Sequence, residues 1–256
     1  MVNADDFGFT TDVNLGIVDA HTQGILTATT LMAQGSAFAH AVELAQEHPT
    51  LDIGVHLQIV QGPFPPTVPH LLAKLALGGL NVRDEFRRQT ERILAAGIVP
   101  SHLDTHKHTH LLPVVLEAVL EVSREYAIPW IRRPFDLPFT GRPIPAKAKL
   151  AAGLMRLARE QFQAKVTHAT DHFAGFVLTG DYTAEDLVHL IENLPAGSTE
   201  FMCHPGYFTG ELAAAQTRLK ESRARELAAL TDARVKESLV RAGVRLTNFR
   251  QLSLVR

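Results

Sequence analysis

Cysteine is almost missing from this chain: Cys203 is the only one among 256 residues. No intramolecular disulfide can form, so the chain does not read as a disulfide-stabilised secreted protein. Long apolar runs are missing too. None approaches the roughly 18 residues that a membrane span requires, and nothing at the start resembles a secretory signal; the expected location is cytoplasmic. Neither sign of charge is in excess, with 25 Lys and Arg against 27 Asp and Glu and a formal net charge of −2. That balance argues against a nucleic-acid partner, which announces itself by a basic patch or stripe, and suits a neutral or weakly charged small substrate. Low-complexity tracts, charge blocks and internal repeats are absent as well, so nothing marks a domain boundary. With 46% hydrophobic residues the chain can bury a large core, and residues 1–256 are read as a single domain.

What is present is an alternation of short apolar runs with helical patterns. Thr27–Met32, Ile53–Leu57, Ser101–Asp104, Pro129–Arg132, Phe176–Leu178, Thr199–Cys203 and Val244–Thr247 read as strands, and Val2 onwards as the tail of a first strand. Helical spacing recurs over Asp12–Gln23, Asp84–Ala96, Leu112–Tyr126, Lys147–Phe162, Ala184–Asn193, Ser222–Leu230 and Asp232–Ala242. Pro113 suits a first helical turn. Alternating strands and helices imply a parallel sheet covered by helices. Seven or eight such units predict an α/β fold of (β/α)-barrel type, possibly incomplete or irregular, with an open doubly wound sheet as the runner-up. Either way, functional groups belong at the carboxyl ends of strands. Gln61–His70 carries Pro63, Pro65, Pro66 and Pro69 and reads as a semi-rigid loop forming a substrate wall.

Polar residues stand where those strands end. Asp5 and Asp6 follow the first; His56 closes Gly54-Val55-His56-Leu57; His204 precedes Pro205-Gly206 after the run ending at Cys203. Thirteen histidines are the compositional oddity, and His102, His106, His108 and His110 crowd into nine residues around Asp104. An isolated Asp-Asp is ordinarily a turn or a helix cap, and a lone His after a strand is ordinarily structural. A surface loop, by contrast, has little use for four imidazoles. Imidazole and carboxylate together suit zinc or another divalent ion, and three protein ligands leave a position for water. A bound metal brings that water's pKa towards ~7 and polarises a carbonyl. A second carboxylate can take the water's proton and a separate histidine can protonate a leaving amine, help worth on the order of 10²–10⁴-fold. Cys203 and His204 are neighbours, so in a strand their side chains point to opposite faces, and Cys203 reads as a small buried residue rather than a nucleophile.

With these residues assembled, the sequence resembles the YdjC-like carbohydrate deacetylase family, which includes the ChbG and HpnK types. The matching segments are Val2–Gly8 (VNADDFG), Gly54–Leu57 (GVHL), His102–His110 (HLDTHKHTH), Met202–Gly206 (MCHPG) and Ser222–Leu227 (SRAREL), in family order over nearly the whole chain. The resemblance implies a barrel-like deacetylase, often a homodimer, that uses one divalent ion, Mg²⁺ or Zn²⁺. It implies Asp6, His56 and His106 as metal ligands, Asp5 as the general base and His204 as the acid. Asp104, His108 and His110 then support these residues or contact substrate. The implied substrate is an N-acetylated mono- or oligosaccharide or glycolipid, deacetylated by a metal-activated water. Only Met1 and Val2 precede Asn3, so the first strand is expected to be unusually short.

Two other readings stay open from the residues. A metal-dependent phosphoesterase would use the same ligands, though no basic cluster built for phosphate is seen beyond Arg132 and Arg133. A non-catalytic sugar- or metal-binding protein would bind without turnover. Phe64, Trp130, Tyr207 and Phe208 are candidate surfaces for stacking on a sugar.

Overall fold

The short apolar runs become the strands of one parallel sheet. The computed structural model describes residues 1–254. Its strands are β1 (Val2–Phe7), β2 (Ala28–Leu31), β3 (Asp52–Leu57), β4 (His102–Thr105), β5 (Trp130–Ile131), β6 (His172–Ala174) and β7 (Thr199–Cys203). They lie in the order β5-β4-β3-β2-β1-β7-β6, and every ladder is parallel. Strands β1 to β5 are buried along their whole length, as expected where helices cover both faces. Phe7, Ile17, Leu31, Leu57, Phe86 and Val119 pack in the resulting core.

The sheet is curled and incomplete, open between β5 and β6. Isolated contacts draw these edges together: Ile131 N–H donates to His168 O at 3.0 Å and Leu137 N–H to Phe173 O at 2.7 Å. Asp136 pairs with Phe173 in a single bridge. The expected barrel-like fold is thus correct, including its irregularity. Among the described residues, no helix is long and apolar enough to cross a membrane.

Several boundaries differ from the sequence reading. Strand β6 lies before Phe176–Leu178, which forms the following turn; Asp136 caps it by accepting the N–H groups of Phe176 (3.0 Å) and Val177 (2.7 Å). Val244–Thr247 is not a strand. It borders a cavity of about 510 Å³ beside Leu187, Leu190 and Leu239, away from the carboxyl ends of the strands. The helix expected over Lys147–Phe162 is broken into Ala146–Arg156 and Arg159–Lys165. The first piece buries no side chain, whereas the second buries Phe162 against Phe135 and His110. The proline-rich loop ends early, because the helix Val68–Ala76 starts within it and Pro69 is accommodated in its first turn. Strand β1 is not short. Its six residues equal β3 and are paired on both sides, and the Met1 ammonium donates to Thr199 O at 2.9 Å.

Candidate active site

Two adjacent residues of a regular strand face opposite ways, so Asp5 and Asp6 ought to diverge. A bulge prevents it. Ala4 pairs with Thr29 but Phe7 with Leu31, three steps on β1 against two on β2, and Asp6 takes up the extra residue at φ 71°. Aspartate tolerates this left-handed backbone better than most residues, and bulges commonly re-aim side chains next to active sites. Both carboxylates therefore reach the carboxyl end of the sheet, where β3, β4, β5 and β7 deliver His56, Asp104, His106, Arg132 and His204.

Three atoms converge there. Asp6 Oδ1 lies 3.4 Å from His56 Nε2 and 3.3 Å from His106 Nδ1, and the two nitrogens are 3.1 Å apart. The outer partners fix what these atoms are. His56 Nδ1–H donates to Asp104 Oδ1 at 2.7 Å, so Nε2 carries a lone pair in the neutral ring. His106 Nε2–H donates to the Gln61 carboxamide oxygen at 2.8 Å, so its lone pair is on Nδ1. Asp6 Oδ1 is itself buried without an aligned hydrogen-bond donor. Three lone pairs facing one another repel unless a cation stands between them, and carboxylate–histidine pairs of this kind are how proteins orient metal ligands. The donor set, one carboxylate oxygen and two imidazole nitrogens, fits a divalent transition ion with a position left open.

The carboxylates around the cluster favour a positive charge there, a proton on His56 or a metal ion. Burial opposes charge on His56, but Asp104, and then Asp5 and Asp6, outweigh it and raise the imidazole to about 9. Burial likewise opposes ionisation of Asp6 and Asp104. Arg223, with the two imidazoles, holds Asp6 well below the usual carboxylate range, and Arg132 and His56 do the same for Asp104. Asp6 Oδ2 accepts from Arg223 at 2.5 Å, so its other oxygen is left for the cluster. Thr30 Oγ–H donates to Asp104 Oδ2 at 3.2 Å.

Arg132, seen in the sequence only as half of a basic pair, is the hub of the buried charges. Its guanidinium is forked onto both oxygens of Asp5 at 2.6 and 2.7 Å, contacts Asp104 at 2.5 Å and donates through Nε to Glu200 at 2.8 Å. Fully committed to carboxylates, it is not a phosphate anchor. His204 Nε2 stands 3.9 Å from Asp5 Oδ2. Burial lowers the His204 imidazole to about 4 against the pull of Asp5 and Asp6.

The remaining histidines separate by surroundings. His110 is fully buried, bonded to Thr105 Oγ at 2.7 Å and to Arg132 O at 3.1 Å; it holds the turn and the end of β5 rather than touching solvent. His102 lies deeper, stacked on Phe249 and bonded to Asn3 Oδ1 at 3.0 Å. His108, left-handed at φ 52°, sets its ring against Phe173 and Phe176, and burial holds it well below its ordinary value. Cys203 is buried and its thiol is pushed up by burial, which suits a core residue and not a nucleophile.

A cleft of about 420 Å³ opens beside the cluster, lined by Asp6, His106, Arg223, Gln61, Phe9 and Phe64. Phe64, a candidate stacking surface, lines this cleft. Trp130 does not: it opens β5 at the opposite end of the strand, packed with Met1 and Phe249, and donates to Ser253 Oγ at 2.7 Å. Gln61, Glu200, Arg223 and Glu226 were not singled out in the sequence, and Arg132 only as half of a basic pair. Arg223 and Glu226 do fall in the Ser222–Leu227 motif, the one signal that marked them.

A family model described as YdjC-like protein matches residues 1–241. A carbohydrate deacetylase of Brevibacillus brevis is 32% identical over 269 residues, covering 98% of both chains. One of Clostridium beijerinckii is 31% identical, covering 98% of this chain and 99% of its own. A crystal structure from Enterococcus faecalis V583, provisionally named a cellobiose-phosphate cleavage protein, superposes with a TM-score of 0.77 at 25% identity, covering 98% of this chain and 97% of the other.

Proposed function

Because this chain belongs to the YdjC-like protein family, we propose that it is a carbohydrate deacetylase, acting as one domain on an N-acetylated sugar with one divalent ion. The observation that carries this reading is the convergence of Asp6 Oδ1, His56 Nε2 and His106 Nδ1 beside a second carboxylate and a separate imidazole. Mg²⁺ or Zn²⁺ held by those three residues would polarise the acetamide carbonyl and acidify a water.

The protein's own groups do the rest. Asp5, its plane fixed by the Arg132 fork, takes a proton from the attacking water. His204 gives a proton to the nitrogen as the C–N bond breaks, releasing acetate and the amine. His108 and the phenyl rings beside it exclude water from one side, while Phe9 and Phe64 offer faces to a sugar ring. A cleft of about 420 Å³ suits a mono- or disaccharide portion of the substrate. A homodimer is the proposed assembly, and light scattering at twice the chain mass would support it.

Elemental analysis tests the ligand set. Wild type should carry about one divalent ion per chain, and Asp6→Ala and His106→Ala should carry none and release no acetate from N-acetylglucosamine oligomers. Metal retained in both variants would refute the assignment.

A further inference from the structure

The helix Glu221–Thr231 contributes two buried charges one turn apart, and only one of them touches the metal-ligand cluster. Arg223 is bound to Asp6, as described. Glu226, 1% exposed, reaches instead beneath the loop after β7. Its Oε2 accepts the backbone N–H of His204 at 2.6 Å, and its Oε1 accepts that of Gly180 at 2.7 Å. The same Oε2 is 3.9 Å from His204 Nδ1, which is buried with no hydrogen-bond partner. The imidazole is therefore bracketed, with Nδ1 towards Glu226 and Nε2 towards Asp5.

We propose that Glu226 is the positioning residue for His204: it anchors the loop through the backbone and accepts Nδ1–H, so that Nε2 is the atom that holds the proton for the leaving nitrogen. The inference rests on the deacetylase reading above. The geometry leaves little alternative for this role. Both oxygens of Asp5 are already bound by Arg132, and a buried imidazole resists protonation unless a carboxylate lies within reach. A shift of about 1 Å closes the Nδ1–Oε2 gap to hydrogen-bond length, the kind of tightening that catalytic contacts undergo when substrate arrives. In the step itself, the proton that Asp5 took from water crosses the 3.9 Å to Nε2 and passes on to the nitrogen as the C–N electron pair leaves with it, while Nδ1–H stays bonded to Glu226.

The experiment is a double-mutant cycle of Glu226→Gln with His204→Ala, using acetate release from an N-acetylated disaccharide and metal content as readouts. Glu226→Gln alone should lower kcat by about 10–100-fold with KM within twofold and metal retained. In the His204→Ala background it should cost less than a further twofold. Losses that multiply, an unchanged kcat, or loss of metal would each overturn the inference, since Glu226 would then act through the fold or not at all. If Glu226→Gln does not fold, Glu226→Asp, which keeps the charge but retracts it by one methylene, takes its place in the same cycle. Wild type without turnover on any acetamido sugar would instead refute the deacetylase reading, and this inference with it.

Discussion

Asp5 and Asp6 are chemically identical neighbours whose roles are divided by their partners. Asp6 gives one oxygen to Arg223 and turns the other to two imidazoles; Asp5 gives both to Arg132. Asp5→Asn should therefore lower kcat by about 10²–10⁴-fold while elemental analysis still finds the metal; full turnover would remove Asp5 from the base role. Arg132→Met is expected to behave differently. It leaves Asp5, Asp104 and Glu200 buried without their shared cation, at a cost on the order of 3–5 kcal/mol per broken pair, so thermal unfolding should show a large fall in Tm or no folded protein. At this scale the cluster of Asp6, His56 and His106 was legible in sequence because each stands at or just past the end of a strand. Arg132 was not, because its meaning comes from Asp5, 127 positions away, and no local pattern encodes that distance. Nor does the alternation rule explain how Asp5 and Asp6 can work together, since the bulge is visible only in the register with β2.

At the scale of elements, the site depends on how closely the helix Thr11–Thr22 approaches the loop that carries His204. A Cβ on Gly16 would lie 2.4 Å from Gly206 Cα, against backbone that has no side-chain freedom to yield. Gly16→Ala should thus destabilise by about 1–3 kcal/mol and lower kcat through the displaced loop, measurable as a drop in Tm together with reduced acetate release; a wild-type Tm would show that the loop gives way freely. Elements with strong periodicity, such as Pro113–Glu125 and Thr199–Cys203, were legible to within a residue or two. Val244–Thr247 misled because an apolar run bordering a cavity has the same composition as a buried strand. The helix Phe38–Glu47 escaped the reading altogether, although Phe38, Ala41, Val42 and Ala45 recur at helical spacing and pack on the core.

For the whole molecule, buried imidazoles set the response to acid. Burial lowers His102 and His110 to about 4 from an ordinary 6.5. Their folded values lie below the unfolded ones, so the stability they contribute is present above pH 6.5 and is lost as pH falls towards 4, at about 1.4 kcal/mol per pH unit for each group. Asp136 runs the other way. Burial raises it to about 6 despite the N–H groups it accepts, so it favours the folded state as pH falls from 6 towards 4. The four lowered imidazoles, His102, His108, His110 and His204, outnumber the three carboxyls that burial raises, Asp136, Glu200 and Glu226, which predicts a Tm that declines between pH 6.5 and 4, as calorimetry on metal-free protein would show; a rising Tm would contradict the balance.

The place of β1 in the strand order has a consequence in time. The strand that bears both aspartates is made before the other six, yet its far edge stays open until residues 199–203 have been synthesised, because β7 is the neighbour that closes it. Contacts separated by nearly the whole chain form slowly, since the loop entropy is lost before they reward it. The ladder beside Asp5 and Asp6 is thus completed only after six of the seven strands exist, and during that interval a buried central strand behaves as an exposed edge. Recovery of activity on refolding should accordingly trail the recovery of helical circular dichroism, and a chaperone that shields strand edges should raise the yield of active enzyme more than the yield of helix.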